Sequence, residues 1–298
     1  MSEGVVPTLE ELVAMRTVAA RPRAARRVRA AHAGVAPSAL RGRGMEYAES
    51  REYTVGDDAR HVDWRLTART GRPHTKVFHA ERERLTLLVA DTAPALYFGT
   101  RVRFKSVQAA RAGALAAWAA VGDGDRIAAL RGAPREAPIP PAGGPRGALR
   151  VIDALRRWYT QRPDDDAGLP DALEHAQRLM RPGARLVVLA DPSSLEPIPA
   201  YRWTALARHH EVVVVLLADP IELDPPRARL PFAVDAGRVE VPLDTNLVRQ
   251  RWLDAFAAPL RHAVRDLPAR GLRVVALSTD QPTDACLGAL RGPVPQVA

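Results

Sequence analysis

Five short apolar runs, separated by stretches with helical periodicity, constrain the fold of this chain more than any other feature. The runs lie at 85–90, 126–131, 185–190, 212–218 and 272–278. A continuous apolar run without alternation is typical of a strand that is covered on both faces. Strands that alternate with helices predict an α/β fold with a doubly wound, mostly parallel sheet and right-handed crossovers.

Helical patterns fill the intervals between the runs. The predicted helices span 8–20, 104–121, 147–159, 170–180, 198–209, 247–267 and 282–291. Thr8 is expected to cap the first helix, Asn246 to cap the helix that follows it, and Pro259 to bend that helix. Residues 221–244 are interpreted as an insertion that contains a β-hairpin, because Asp235-Ala236-Gly237 is a hairpin signal between two extended stretches.

Acidic residues follow several of the predicted strands. Asp91, Asp191 and Asp219 each come directly after an apolar run, and Thr279-Asp280 follows the last one. The carboxyl ends of parallel strands meet at one edge of a sheet, and ligands of such sheets bind there. We therefore expect these side chains to gather at one edge.

The charge balance is strongly basic, with a net charge of +9 that is carried almost wholly by arginine, since Lys76 and Lys105 are the only lysines. Such a balance favours an acidic or nucleic-acid partner. It is also what a general bias toward Ala, Arg and Pro would produce. Only residues 21–29 concentrate the charge.

Several sequence features favour a cytoplasmic protein. No apolar run approaches the roughly 20 residues of a membrane span, and the N-terminal residues lack the pattern of a signal peptide. The one cysteine, Cys286, has no partner for an internal disulfide, which fits a reducing compartment. It lies on the apolar side of a predicted helix, so we expect it in the core.

Residues 45–84 are dense in charge and aromatic side chains. We predict a short strand, a turn at Gly56-Asp57-Asp58, a helix or tight turn from Asp63-Trp64 to Gly71, and an extended partner at 74–81. This segment is too small to bury a core alone. We therefore expect residues 1–83 to form an N-terminal element, anchored by Asp63-Trp64, on a main domain at 84–298.

The acids of this segment permit two interpretations. Asp57, Asp58, His61 and Asp63 have the chemistry of metal ligands or of a hydrolytic site. Their spacing matches no metal motif on one helix face. The structural interpretation is that Gly56 allows a left-handed turn, Asp57 or Asp58 caps backbone N–H groups, and Asp63 pairs with Arg60 or Arg65.

A set of residues in this segment resembles the signature of a known family. The set comprises Glu46, Tyr47, Arg51, Tyr53, Gly56, Asp57, Asp58, Arg60, Asp63, Trp64 and Arg69. With it, the chain resembles the DUF58 family of bacterial proteins, which is often associated with MoxR-type AAA+ ATPases. From residue 85 onward the order of elements resembles a von Willebrand factor A-like domain of Rossmann-type topology. The resemblance implies that the signature residues bind a partner.

The same resemblance raises the question of a metal site. A-like domains often carry Asp-x-Ser-x-Ser after the first strand, which binds Mg²⁺ through oxygen ligands. Here the motif is Asp91-Thr92-Ala93-Pro94-Ala95, without the two hydroxyls, and the loop expected to supply a threonine has Asp166-Ala167-Gly168. Asp91 and Asp191 remain as ligands of a degenerate site. The alternative is that they cap loops or pair with arginines, with no cofactor.

These observations lead to two functional expectations. The first is a non-enzymatic protein-interaction module that works with a MoxR-type AAA+ ATPase in chaperone-like assembly or maturation of client proteins. The second is a nucleic-acid-associated or metal-dependent hydrolytic protein that uses the acids at 57–63 and the basic stretch at 21–29. No phosphate-binding glycine loop, nucleophilic triad or paired-cysteine zinc motif is present in the sequence.

Overall fold

The computed structural model describes residues 4–20, 45–54, 57–80, 84–133, 135–234 and 237–291, without the side chains of 45–49, 77–80 and 234. The chain divides into two compact units. The larger unit comprises 1–22 and 84–298, and the smaller unit comprises 23–83. Gly56 and the basic stretch at 21–29 lie outside the described residues.

The described residues form helices and strands in the following order along the chain. The helices are α1 (Leu9–Ala19), α2 (Trp64–Thr70), α3 (Lys105–Gly122), α4 (Gly144–Thr160), α5 (Leu169–Leu179), α6 (Ala200–His209), α7 (Pro220–Leu223), α8 (Asn246–Trp252), α9 (Ala258–Asp266) and α10 (Leu287–Arg291). The strands are β1 (Met45–Glu52), β2 (His74–Ala80), β3 (Leu85–Ala90), β4 (Arg126–Arg131), β5 (Ile139–Ala142), β6 (Arg185–Ala190), β7 (Glu211–Ala218), β8 (Arg229–Val234), β9 (Gly237–Pro242) and β10 (Arg273–Ser278).

The larger unit is built on a six-stranded sheet in the order β10-β7-β6-β3-β4-β5. All neighbouring strands are parallel except β5, which pairs antiparallel with β4 at one side of the sheet. The strand order reverses between β3 and β6, because the chain first extends the sheet on one side of β3 and then on the other. Ligands of doubly wound sheets bind at such a switch point. The predicted α/β class with a mostly parallel sheet is confirmed.

Two apolar layers cover the sheet. Leu88 and Ala90 of β3 face a layer that includes α1, α3 and α4. Leu87 and Val89, the alternate residues, face a layer that includes α5, α6 and α9. Because successive side chains of a strand point to opposite faces, a strand covered by helices on both faces must be apolar throughout. This explains the continuous apolar runs of the sequence.

Helix α1 belongs to the larger unit. The predicted division, with an N-terminal element at 1–83, grouped this helix with the signature segment instead. Thr8 and Glu11 form a capping box at its start, which confirms the predicted N-cap. The helix packs against α3, where the Trp118 Nε1 donates a hydrogen bond to the Leu12 carbonyl. Because α1 covers its outer side, α3 is buried along most of its length.

Three local predictions differ from the structure. The Pro/Gly-rich region at 133–146, for which no strand is predicted, contains strand β5. Helix α8 begins at Asn246, so its N-cap is Thr245. The predicted bend at Pro259 is preceded by a π-helical segment, Leu253–Ala257, after which Pro259 occupies the first turn of α9, where its missing N–H leaves no hydrogen bond unmade.

The smaller unit contains an antiparallel hairpin of β1 and β2 with helix α2 between them. Asp63 caps the start of α2 by accepting a hydrogen bond from the Leu66 N–H at 3.1 Å. Gly71 ends the helix with a φ of 70°, a left-handed conformation that suits glycine. The predicted strand, helix and extended partner are therefore present.

The predicted hairpin of the insertion is also present. Strands β8 and β9 pair antiparallel from Arg229 opposite Pro242 to Val234 opposite Gly237. The Phe232 ring lies 5.2 Å from the Trp252 ring of α8 and 6.3 Å from the Phe98 ring, and these contacts pack the hairpin against the rest of the larger unit. No helix within the described ranges is long and apolar enough to cross a membrane.

Candidate functional site at the carboxyl edge of the sheet

Four polar side chains follow the parallel strands at the edge where these strands end, which we call the carboxyl edge. Asp91 follows β3, Asp191 follows β6, Asp219 follows β7 and Thr279 follows β10. All four residues are at most 4% exposed. The sheet thus places the strand-end residues together as the sequence predicts, with Asp91 and Asp191 at the switch point between β3 and β6.

Lys105 brings a positive charge into the carboxyl edge. Its Nζ lies 2.6 Å from Asp191 Oδ2 and 2.5 Å from Glu222 Oε1, and the residue is 1% exposed. The ammonium also lies over the Phe98 ring, 5.8 Å from its centroid. Burial lowers the pKa of Lys105, but the carboxylates of Asp191 and Glu222 outweigh it and the pKa is raised. The ammonium is therefore a permanent internal cation.

The second carboxylate oxygens of Asp191 and Glu222, which do not contact Lys105, are also hydrogen-bonded. Asp191 Oδ1 accepts from the backbone N–H of Ser193 at 2.9 Å and from its hydroxyl at 2.6 Å. Glu222 Oε2 accepts from the Asp219 N–H at 2.8 Å, as part of a capping box at the start of α7. Both carboxylates thus have internal donors on both oxygens.

Asp91 is held by backbone donors in place of a cation. Its Oδ1 accepts from the Ala93 N–H at 2.9 Å and its Oδ2 from the Asp191 N–H at 3.0 Å. Burial raises the pKa of Asp91 to about 6, and these donors together with the Ser194 hydroxyl offset only part of that effect. Through its hydrogen bonds to the N–H groups of Ala93 and Asp191, the Asp91 side chain links the loops after β3 and β6.

Asp219 ties together three loops of the carboxyl edge. It accepts hydrogen bonds from the Thr100 N–H at 3.0 Å and hydroxyl at 2.6 Å, and from the Thr279 hydroxyl at 2.7 Å. A fourth bond comes from the Ile221 N–H at 3.1 Å. Because Asp219 is fully buried, these four donors satisfy a charge that would otherwise be costly.

The residues of the carboxyl edge do not fit a Mg²⁺ ion. Mg²⁺ requires several oxygen ligands with free lone pairs, and Ala93 and Ala95 supply no hydroxyl. Asp166, in the loop where a threonine is expected, accepts from the Thr92 hydroxyl and the Gly168 N–H. The Lys105 ammonium already neutralises Asp191 and would repel a second cation. No group of three or more acids, histidines or cysteines in the described part of the chain is arranged to hold a metal.

The acids at 57–63 do not converge on one centre either. Asp57 binds Arg51 at 2.6 Å and the Thr54 N–H at 2.9 Å, and these contacts lower its pKa. Asp58 accepts from the Arg60 N–H at the start of a single 3₁₀ turn, Ala59–His61. These contacts match the predicted capping and turn roles of the two aspartates.

Asp63 has different partners from those predicted. In addition to the Leu66 N–H, it accepts from the Ser50 hydroxyl at 2.9 Å, instead of pairing with the side chains of Arg60 or Arg65. Ser50 lies on β1, so this bond attaches the start of α2 to the hairpin. Asp63 is therefore a structural residue of the smaller unit.

The other signature residues are divided between structure and surface. The Tyr53 hydroxyl donates to the Asp57 carbonyl at 3.2 Å, which closes the turn. Trp64, predicted to anchor the segment, is 73% exposed and its indole is not packed within its own unit. Arg69 is also exposed. The side chains of Glu46 and Tyr47 lie outside the described part of the structure.

Lys105 and Glu222 are the main residues of the carboxyl edge that sequence reasoning missed. One signal was present, because Lys105 is one of only two lysines among 43 basic residues. A flexible ammonium in a chain that otherwise uses arginine indicates a position where a compact charge is needed. Glu222 lies three residues after the strand-end Asp219, which is the spacing of a capping box.

Comparisons with known proteins identify relatives of this chain. It is 32% identical to the uncharacterized protein Rv1480 of Mycobacterium tuberculosis over 258 residues, which cover 84% of this chain and 78% of the relative. The uncharacterized protein Mb1516 of Mycobacterium bovis matches with the same identity and coverage. A family model described as "Protein of unknown function DUF58" matches residues 49–262, a range that includes α2 and the carboxyl-edge residues from Asp91 to Glu222. The chain therefore belongs to the DUF58 family.

Proposed function

We propose that this protein is a non-enzymatic, cytoplasmic protein-interaction module that works with a MoxR-type AAA+ ATPase in chaperone-like assembly or maturation of client proteins. In this proposal the sheet is an A-like domain whose carboxyl edge is closed by Lys105 in place of a metal ion. Partner binding then takes place on the outer surface of the molecule and does not require a metal bridge.

The observation that carries the proposal is the position of the Lys105 ammonium between Asp191 and Glu222. An A-like domain that binds through Mg²⁺ needs an open coordination position for the partner's carboxylate. Here a buried lysine neutralises the acids, and the N–H and hydroxyl donors of the surrounding loops occupy the other oxygens. This arrangement supports a rigid scaffold over a catalytic or metal-bridged centre.

The hydrolytic alternative finds less support. A metal-dependent hydrolase requires carboxylates that converge on one ion, with oxygens free to bind it. Asp57, Asp58 and Asp63 instead bond to three different sets of donors within the smaller unit. The test below also detects nucleic-acid binding by this basic chain.

The test is an affinity purification of the tagged full-length chain from its native host. We expect a MoxR-type AAA+ ATPase to be enriched, identified by mass spectrometry, and to be retained equally by the Asp91→Asn variant. The substitution removes the charge that a metal-bridged interaction would need, and circular dichroism shows whether the variant is folded.

Three results would count against the proposal. If no AAA+ ATPase is found in the wild-type eluate, the proposed partnership is wrong. Nucleic acid as the main co-purifying species, released steeply as salt is raised, would favour the nucleic-acid alternative. If wild type retains the ATPase and the folded Asp91→Asn variant loses it, the result would favour an interaction that is bridged by a metal ion at Asp91.

A further inference from the structure

Helix α2 presents one face to solvent that carries a tryptophan and two arginines. Trp64, Arg65, Ala68 and Arg69 fall within about 140° of the helix circumference, since each residue advances the helix by about 100°. All four are exposed, whereas Leu66 and Thr67, on the opposite side, are partly buried. Among the large apolar side chains that the structure describes, Trp64 is the most exposed, at 73%. We call this surface the Trp64 face.

The Trp64 face is held rigidly by the hairpin beneath it. The Asp63 N–H donates to the His74 carbonyl at 2.8 Å, and the His74 N–H donates to the Thr67 hydroxyl at 3.0 Å. Caps at Asp63 and Gly71 fix both ends of the helix. A short helix with this support presents its side chains in place, so binding costs little additional ordering of the backbone.

The charges of the Trp64 face have no described counter-charge. Neither Arg65 nor Arg69 has a side-chain hydrogen bond or ion pair with any residue that the structure describes. Two acids of the unit are already neutralised, since Asp57 pairs with Arg51 and Glu52 pairs with Arg72. An exposed tryptophan on the same helix face as two guanidinium groups without a described partner has the composition of a binding hot spot, where Trp, Tyr and Arg dominate.

We propose that the Trp64 face docks an acidic segment of a partner protein, whose carboxylates pair with Arg65 and Arg69 while an apolar side chain covers Trp64. This inference rests on the proposed interaction function and names its surface. A protein segment fits better than a nucleic acid, because a single strand is bound by successive stacked aromatics along a basic groove. The Trp64 face offers one aromatic, in a unit that also carries exposed Asp58.

The test uses the purified full-length chain and fluorescence anisotropy with three labelled probes. These are a short peptide of alternating glutamate and leucine, a matched peptide of lysine and leucine, and a single-stranded oligonucleotide. We expect the glutamate–leucine peptide to bind and the lysine–leucine peptide not to bind. Trp64→Ala, and separately the double variant Arg65→Ala/Arg69→Ala, should each weaken binding by about tenfold or more.

The chain offers matched controls for both variants. Arg146 and Arg150 are exposed on α4 with the same spacing as Arg65 and Arg69, beside Leu149, which is 42% exposed. Tyr201 on α6 is 68% exposed and matches Trp64. Arg146→Ala/Arg150→Ala removes the same net charge as the α2 double variant, and it and Tyr201→Ala should change the affinity by less than about twofold.

Four outcomes would overturn the proposal. In the first, the glutamate–leucine peptide does not bind to wild type, and in the second, the control variants lose as much affinity as the α2 variants. In the third, the oligonucleotide binds more tightly than the peptide and its binding depends on Trp64. In the fourth, Trp64→Ala fully retains the AAA+ ATPase. The last outcome leaves the proposed function standing and rejects only the surface. Absence of the ATPase from wild-type eluates, with peptide binding intact, rejects the partnership and not the surface.

Discussion

Replacing Lys105 by methionine is expected to lower the free energy of unfolding by about 3–5 kcal/mol. Methionine keeps the length of the side chain but removes the ammonium that lies 2.6 Å from Asp191 and 2.5 Å from Glu222. Two carboxylates then remain buried without their cation, which is far more costly than the loss of one exposed ion pair. Urea unfolding followed by tryptophan fluorescence measures the difference at fixed pH.

The only other lysine of the chain provides the control. Lys76 is exposed on β2, so Lys76→Met is expected to change stability by about 0.5 kcal/mol or less. The triple variant Lys105→Met/Asp191→Asn/Glu222→Gln removes the uncompensated charges, and we expect it to be more stable than Lys105→Met alone. A cost below about 1 kcal/mol for Lys105→Met would show that the ammonium does not neutralise the buried carboxylates.

Between about pH 4 and pH 7, the wild type is expected to lose about 2–2.5 kcal/mol more stability than Asp91→Asn. The reason is that burial raises the pKa of Asp91 from 3.8 to about 6 in the folded protein. Between about pH 4 and pH 6, Asp91 is mostly ionised in the unfolded chain while the folded chain retains most of its proton. The folded state then binds more protons than the unfolded state, so stability falls as pH rises.

Urea unfolding at a series of pH values measures this difference directly. Asparagine accepts hydrogen bonds through one oxygen only, so the Asp91→Asn substitution also carries a cost in stability that does not change with pH. The other titrating groups are common to wild type and variant. The pH dependence of the difference in unfolding free energy between the two proteins therefore reports on Asp91. A difference that stays flat, or that increases in favour of wild type as pH rises, would contradict the raised pKa of Asp91.

The position of the carboxyl edge could be predicted from sequence because it depends on local pattern and on a general rule of topology. The continuous apolar runs define the strands, and Asp91, Asp191 and Asp219 follow them directly. Parallel strands then bring these residues together whatever the lengths of the connecting helices. The capping roles of Thr8 and Asp58 are equally local, since each side chain bonds to an N–H within three residues.

The chemistry of the edge could not be predicted in this way, because it depends on contacts between residues far apart in the chain. Lys105 lies 86 residues from Asp191 and 117 residues from Glu222. An isolated lysine at the start of a predicted helix carries no sign of either partner. Likewise, α1 packs on α3 through a hydrogen bond between Leu12 and Trp118, which are 106 residues apart.

Trp64 illustrates a different limit of sequence reasoning. The anchoring of the N-terminal element on the main domain by Asp63-Trp64 stays a prediction. Within its own unit, the partly buried side of α2 is supplied by Leu66 and Thr67, whereas Trp64 is exposed. An amphipathic pattern of seven residues is too brief to indicate which side a single aromatic takes.

The most direct test of the account is competitive amine labelling of the folded protein, with the two lysines compared by peptide mass spectrometry. A neutral, exposed amine is acylated readily, whereas Lys105 is 1% exposed and its ammonium is held by two carboxylates. The account predicts that Lys76 is modified in the native state and that Lys105 becomes reactive only after unfolding. Modification of both lysines at similar rates in the native protein would contradict a carboxyl edge closed by a buried lysine.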